Sequence, residues 1–328
     1  MSRRQLGLLA RVLGTPALLA LSSLAGTPRP AERAADAATV GDSDAAWWDG
    51  TPSCRTHYAG VVSSSRYLTM RDGVRLAVEL YLPAGLPPGE RIPAILFQTR
   101  YVRAFTLRWP FERLLPNLPA PLGTTYRTMR RFVTSGYAWV AVDVRGSGAS
   151  FGHRRQEWSP EEIADGVEIA DWIVRQPWSD GSIGATGISY EGIAAEFLAG
   201  SGHPAIKAVA PRFALFDAYA EAGFPGGIHH TWFTERWSRL NQALDGHRFT
   251  EVAGWPARLL GIGVRPVEPD NALLQQAIEE HAANYDLHQE ARGITFRDDR
   301  AANGLSVDAM SPWRRAGALQ ASGMPVYS

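Results

Sequence analysis

Apolar and polar side chains alternate regularly from Val74, where Val74, Leu76, Val78, Leu80 and Leu82 interleave with Arg75, Ala77, Glu79 and Tyr81. A period of two sends successive side chains to opposite faces, so the stretch predicts a half-buried strand. Arg71-Asp72-Gly73 supplies a turn back to an antiparallel partner over 61–70. The runs 93–99 and 137–143 are instead almost continuously apolar. Strands covered on both faces read this way, as in a parallel sheet flanked by helices. Between them Tyr126, Met129 and Val133 share one helical face that closes at Gly136. Ser159-Pro160-Glu161-Glu162 starts a helix, with serine as N-cap, proline in the first turn and glutamate three residues after the cap. Ile163, Val167, Ala170 and Val174 follow at helical spacing as its expected apolar face.

A strand over 183–186, a helix over 190–199 and a strand over 206–210 complete the pattern. Alternating strands and helices imply an α/β fold built on a doubly wound, mostly parallel sheet, in which ligands bind beyond the carboxyl ends of the strands. After Pro211 the strand signal fades. Helix-like segments over 229–244 and 271–292, separated by breaks such as 223–227, predict an inserted helical cap. The last six residues begin what reads as another strand. The expected division is an export signal and linker over 1–43, an α/β core over 44–212, a cap over 213–315 and a return to the core sheet over 316–328.

Composition narrows the function. The 33 basic and 33 acidic residues cancel, so no global field favours nucleic acid or an anionic membrane. Cys54 is the single cysteine, which rules out an internal disulfide. No His-Glu-x-x-His or comparable ligand spacing appears, so neither metal nor cofactor is expected. Ser2-Arg3-Arg4-Gln5-Leu6 resembles a twin-arginine signal, followed by an apolar stretch over 12–25 with small residues at its end. Export is therefore expected, with no membrane span after signal cleavage because the run is short.

The chemistry centres on Gly187-Ile188-Ser189-Tyr190-Glu191-Gly192. An apolar strand, a sharp turn bearing serine and a helix form a nucleophile elbow, whose strained backbone needs small neighbours. Gly187 meets that need. Glu191 holds the place of the usual downstream glycine, and Gly192 follows.

Met70-Arg71-Asp72-Gly73-Val74-Arg75-Leu76, Thr99-Arg100-Tyr101, Asp143-Val144-Arg145-Gly146-Ser147-Gly148-Ala149-Ser150, Gln176-Pro177-Trp178-Ser179-Asp180-Gly181 and the elbow resemble, in order, the cocaine esterase-like (CocE/NonD) α/β-hydrolases. That family is related to the X-Pro dipeptidyl-peptidases and α-amino-acid ester hydrolases, and it uses Gly-x-Ser-Tyr-x-Gly. The resemblance implies a serine hydrolase that cleaves small ester, amide or short peptide substrates through an acyl-enzyme. Ser189 would be the nucleophile, with the Tyr190 backbone N–H and the Tyr101 phenol as oxyanion donors. Arg100 stands where the family commonly has proline. Asp143 and Arg145 are expected to form a structural ion pair and turn.

In the family the triad acid and histidine follow the cap, so here both are expected beyond Ser328, as is a jelly-roll domain. Substitution by His203, His229, His230, His247, His281 or His288 is not expected. Without the histidine, turnover falls on the order of 10⁶, so the chain as given is expected to be nearly inactive. Phe213, Phe216, Tyr219, Phe224, Trp232, Phe233 and Trp237 could line an acyl pocket or form the cap's core. Asp217 and Glu221 fall where amino-ester hydrolases place a carboxylate for the substrate ammonium, and a solvated helix face explains them equally well. The alternatives are an X-Pro dipeptidyl-peptidase and a non-catalytic α/β-hydrolase-like protein.

Overall fold

A computed structural model describes residues 57–114 and 124–327. The expected export signal and linker, Cys54 and Ser328 lie outside the described residues. Strands β1 (Val61–Thr69), β2 (Arg75–Pro83), β3 (Ile92–Thr99), β5 (Ala138–Asp143), β6 (Ser179–Ile188) and β7 (Ile206–Arg212) form one sheet in the order β1-β2-β5-β3-β6-β7. The β1–β2 and β2–β5 pairs are antiparallel, and the β5–β3, β3–β6 and β6–β7 pairs are parallel. A two-residue β4 (Phe105–Thr106) pairs with β8 (Gly263–Val264), which the sequence pattern did not reveal.

The first hairpin turns where the sequence predicts, with Gly73 at φ 85° and its N–H bonded to the Met70 carbonyl at 2.9 Å. Strand β2 is buried on both faces rather than one. The reason is Glu79, 1% exposed on what the alternation makes the polar face. Its carboxylate meets Arg265 of the post-β7 chain at 3.0 Å and Arg103 of the segment after β3 at 3.8 Å, so two distant segments cover that face.

Helix α1 (Thr124–Thr134) buries Met129 and Val133 beneath β5, as its spacing predicts. Helix α2 (Pro160–Val174) is capped by Ser159, which accepts the Glu162 N–H at 3.3 Å. Its buried face is rotated from the expected one, which it shares at Ala170. Glu162, Asp165, Gly166, Ile169, Ala170 and Ile173 face inward, whereas Val174 is exposed. Two buried carboxylates, each with a partner, occupy positions that an apolar pattern reads as solvent. Gly166 lets the helix approach the sheet, since a Cβ there would meet the Gln98 amide oxygen at 2.9 Å.

Asp143 and Arg145 do not pair with each other. Asp143, fully buried at the end of β5, binds the Arg103 guanidinium at 2.9 Å and accepts the Ala149 N–H at 2.9 Å. Arg145 reaches back to α2 and grips Asp165 through two bonds of 2.7 and 2.6 Å. The turn after β5 closes so tightly on the first pair that a Cβ on Gly148 would lie 2.3 Å from the Asp143 carboxyl.

Helix α3 (Tyr190–Ala199) links β6 to β7. Beyond β7 the described chain is largely helical. Helix α4 (Thr231–Asp245) matches its pattern, but the stretch expected over 271–292 divides into α5 (Ala272–His281) and α6 (Leu287–Arg292). Asp286 causes the break by capping α6, accepting the His288 and Gln289 N–H groups. Near the end of the chain, Tyr327 N–H donates to the Val209 carbonyl at 2.9 Å, and Val326 forms a parallel bridge beside β7. No described helix is long and apolar enough to cross a membrane.

Replacing Arg103 by Met keeps its bulk but leaves Glu79 short of one cation and Asp143 without its ion pair. Removing one partner of such a buried pair costs about 3–5 kcal/mol, and urea unfolding of the variant is expected to show a loss in that range.

Candidate active site

Ser189 sits where β6 ends and α3 begins, at φ 59° and ψ −119°. A non-glycine residue in that region is strained and persists only because its surroundings hold it. Its N–H donates to the Arg212 carbonyl of β7 at 2.9 Å, and its carbonyl accepts the Ile193 N–H at 3.0 Å. Both glycines of the motif are sterically required. A Cβ on Gly187 would lie 2.2 Å from the Glu191 Cβ, and one on Gly192 would lie 3.0 Å from the Arg212 carbonyl oxygen. The displaced glycine thus has a physical cause: position 192, rather than 191, packs against the β7 backbone.

Tyr190 divides its roles. Its ring is buried, stacked on Trp158 at 4.7 Å, and its hydroxyl donates to Glu162. Its backbone N–H, first in α3, has no acceptor within the helix and carries the helix's positive end. Tyr101 follows β3, the neighbour of β6, and its half-buried phenol lies beside the Ser189 side chain. Its ring meets Tyr190 edge-on at 6.2 Å and Trp237 of α4 at 5.8 Å. Burial and then the Glu191 charge push the Tyr101 phenol up, which keeps it a neutral O–H donor. Ser189, Tyr190 and the Tyr101 phenol thus lie together where β3 and β6 end.

Arg100, the departure from the family pattern, is fully buried. It donates to Glu157 at 3.2 Å and to Asp245 of α4 at 3.1 Å. Arg154 completes a neutral set, donating to Asp245 at 2.6 Å. Burial alone would raise the Asp245 carboxyl, but Arg154 and Arg100 hold it below the ordinary carboxylate range. Neither this network nor the anchoring of Tyr101 by Thr99, whose hydroxyl accepts the Tyr101 N–H at 2.9 Å, was visible in sequence. Its members are as far as 145 positions apart.

The other candidates stand differently. Asp217 is not a free carboxylate: Arg297 binds it at 2.6 Å and Ala220 N–H donates to it at 3.0 Å. Glu221 is exposed and accepts the Phe216 N–H at 3.1 Å. Phe213, Phe216 and Trp232 are exposed, Tyr219 and Phe224 pack in a small core, and Phe233 stacks on Trp237 at 6.1 Å.

Among the described residues no histidine ring bonds to Ser189. His203 faces Asp171, His229 and His288 share the Thr234 hydroxyl, and His230 faces the Ala222 carbonyl. His247 meets the Gly148 carbonyl, and His281 lies between the carbonyls of Asp245 and Ser150. Nor do the described residues place three or more His, Cys, Asp or Glu side chains where they could hold a metal ion.

A sequence profile of the X-Pro dipeptidyl-peptidase (S15 family) matches residues 72–322. A putative serine esterase of Mycobacterium bovis is 49% identical over 312 residues, covering 88% of this chain and 50% of that protein. The cocaine esterase of a Rhodococcus species is 35% identical over 182 residues, 55% of this chain and 28% of that protein. The chain spans about half the length of the mycobacterial relative. A CocE/NonD family hydrolase from Staphylococcus aureus superimposes with a TM-score of 0.52 at 24% identity, over 73% of this chain and 37% of that one, which shows the shared fold.

Below the elbow, burial pushes the Glu162 carboxyl up to about 8, against the pull of the Tyr190 hydroxyl. The folded state therefore keeps a proton that the unfolded chain, with an ordinary value of 4.5, releases earlier. Stability from this group is complete below the unfolded value and is lost as pH rises through the folded one. Urea unfolding at pH 5 and pH 8.5 is expected to show a smaller fall with pH in Glu162→Gln than in the parent.

Proposed function

The chain belongs to the X-Pro dipeptidyl-peptidase (S15) family, and from that premise we propose that it supplies the nucleophile of a CocE/NonD-type serine hydrolase acting on small esters or amides. The observation that carries this reading is the strained strand-to-helix turn that holds Ser189 at φ 59° between two sterically required glycines, with the Tyr101 phenol beside it. Ser189 Oγ adds to the acyl carbon as the triad base takes its proton, and the carbonyl oxygen takes up the negative charge between the Tyr101 O–H and the Tyr190 N–H. Collapse breaks the acyl C–O or C–N bond, the base returns the proton to the departing alcohol or amine, and an acyl group stays on Ser189. Water then adds to that ester and gives a proton to the base, the same two donors receive the charge again, and collapse releases the carboxylic acid and restores the Ser189 hydroxyl with that proton. Preorganised donors are worth about 3 kcal/mol each, because they need not reorient as charge develops.

We place the acid and base of the triad outside the described residues, in sequence following Ser328. This rests on the six histidine rings after Ser189, each already bonded to another group. Residues 1–328 alone are then nearly inactive. The region over 213–315 acts as a cap that shapes the acyl site, supported by the contact of Trp237 with Tyr101. The twin-arginine-like start supports export to the periplasm or the medium, and an unprocessed N-terminus in secreting cells would refute it.

An ester is favoured over an amino-terminal dipeptide, because of the two carboxylates that could bind an ammonium Asp217 is already paired with Arg297 and Glu221 accepts the Phe216 N–H. The profile match supports the second reading, an X-Pro dipeptidyl-peptidase. The expressed gene product is expected to hydrolyse a short-chain aryl ester in preference to an X-Pro anilide; the reverse preference rejects the esterase reading. In the same assay Ser189→Ala is expected to lower kcat on the order of 10⁶, and Tyr101→Phe about 10²- to 10³-fold. Undiminished turnover in Ser189→Ala rejects catalysis at this serine.

A further inference from the structure

We propose that Glu191 is a positioning residue of the oxyanion hole, its carboxylate holding Tyr101 in register with the nucleophile elbow through the Thr99 hydroxyl. The inference rests on the serine hydrolase reading above and deepens it.

Strands β3 and β6 are parallel neighbours whose last paired residues are Leu96 and Ala185. Three residues further along each strand the β3–β6 ladder has ended, while Thr99 still pairs with Asp143 of β5 and Ile188 with Arg212 of β7. Glu191 joins Thr99 and Ile188. Its Oε1 accepts the Thr99 hydroxyl proton at 2.9 Å, and its Oε2 accepts the Ile188 N–H at 3.3 Å. The Thr99 oxygen in turn accepts the Tyr101 N–H at 2.9 Å. With the Tyr101–Ser189 contact this closes a ring: elbow, Glu191, Thr99, Tyr101 and back to the nucleophile. Every polar atom in the bridge has a partner, and both carboxylate oxygens act as acceptors.

The arm that carries Tyr101 needs such a tether. Val102, next in the chain, sits at φ 83°. A β-branched residue there is strained, so the arm relaxes unless its surroundings over-determine it. Arg100 fixes the arm to the cap and Arg103 fixes it to Asp143. Through Glu191 the arm is also tied by its own backbone to the elbow, the reference frame in which an oxyanion donor must be placed. The side chain is well held for this. The elbow closes on its backbone at Gly187, and the carboxyl is enclosed enough that burial pushes it up to about 7 despite the Thr99 and Ile188 bonds.

A positioning role differs from a purely structural one in its dependence on the Tyr101 hydroxyl. The test is a double-mutant cycle on the expressed gene product with an aryl ester, alongside urea midpoints for every variant. Glu191→Gln is expected to lower kcat about tenfold or more with KM unchanged, whereas the same substitution in Tyr101→Phe changes kcat less than about twofold. Thr99→Val cuts the bridge without touching the elbow, and it is expected to match the Glu191→Gln loss in both backgrounds. Equal fold-losses from Glu191→Gln with and without the Tyr101 hydroxyl overturn the inference, as does full activity of Thr99→Val. If Tyr101→Phe alone leaves kcat unchanged, it is the oxyanion reading of Tyr101 that fails.

Discussion

The elbow closes on itself at one point. Position 187 has no room for a Cβ because the Glu191 Cβ and carbonyl carbon lie 2.2 and 2.4 Å from where it would be. A chain that turns so tightly must leave its middle residue strained, and Ser189 accordingly sits at φ 59°. Helix α3 then begins at Tyr190, so its first amide lies beside the nucleophile with no acceptor within the helix. Gly192 brings the same helix against the end of β7, where the Arg212 carbonyl holds the Ser189 N–H. The rest of the site is arranged around a serine whose direction is set by this closure.

Around it, the carboxyl end of the sheet is built from buried charge. Arg103 with Asp143, Arg145 with Asp165, and Arg100 and Arg154 with Glu157 and Asp245 each join segments distant in sequence. Desolvation offsets most of the Coulomb attraction of such pairs, so their net contribution to stability is small while the penalty for breaking one is large. That asymmetry suits a site. Charges that are costly to separate fix the arm bearing Tyr101, the turn after β5 and helix α4 in one arrangement.

What could be read from sequence was local. The first hairpin, the capped start of α2 and the elbow depend on neighbours within a few positions, and each appears where its residues predict. The reading failed where a polar residue had a distant partner. Glu79 made β2 look half-buried, and Glu162 and Asp165 displaced the expected face of α2, because alternation and helical spacing count carboxylates as solvent-facing. Asp286 broke a helix that its apolar spacing continued. Asp217 reads equally as an ammonium site or a solvated face, because its partner Arg297 lies eighty residues away. Tyr101 was legible as an oxyanion donor only through family resemblance, and the threonine and glutamate that tether it carry no signal of their own.

If Ser189 is the nucleophile, covalent adduct mapping identifies it. The expressed gene product is treated with a fluorophosphonate, digested and sequenced by tandem mass spectrometry. A single phosphonyl adduct is expected, on Ser189, and it is absent from Ser189→Ala. Ester hydrolysis accompanied by an adduct on another serine, such as Ser147 or Ser150 in the turn after β5, would contradict Ser189 as the nucleophile.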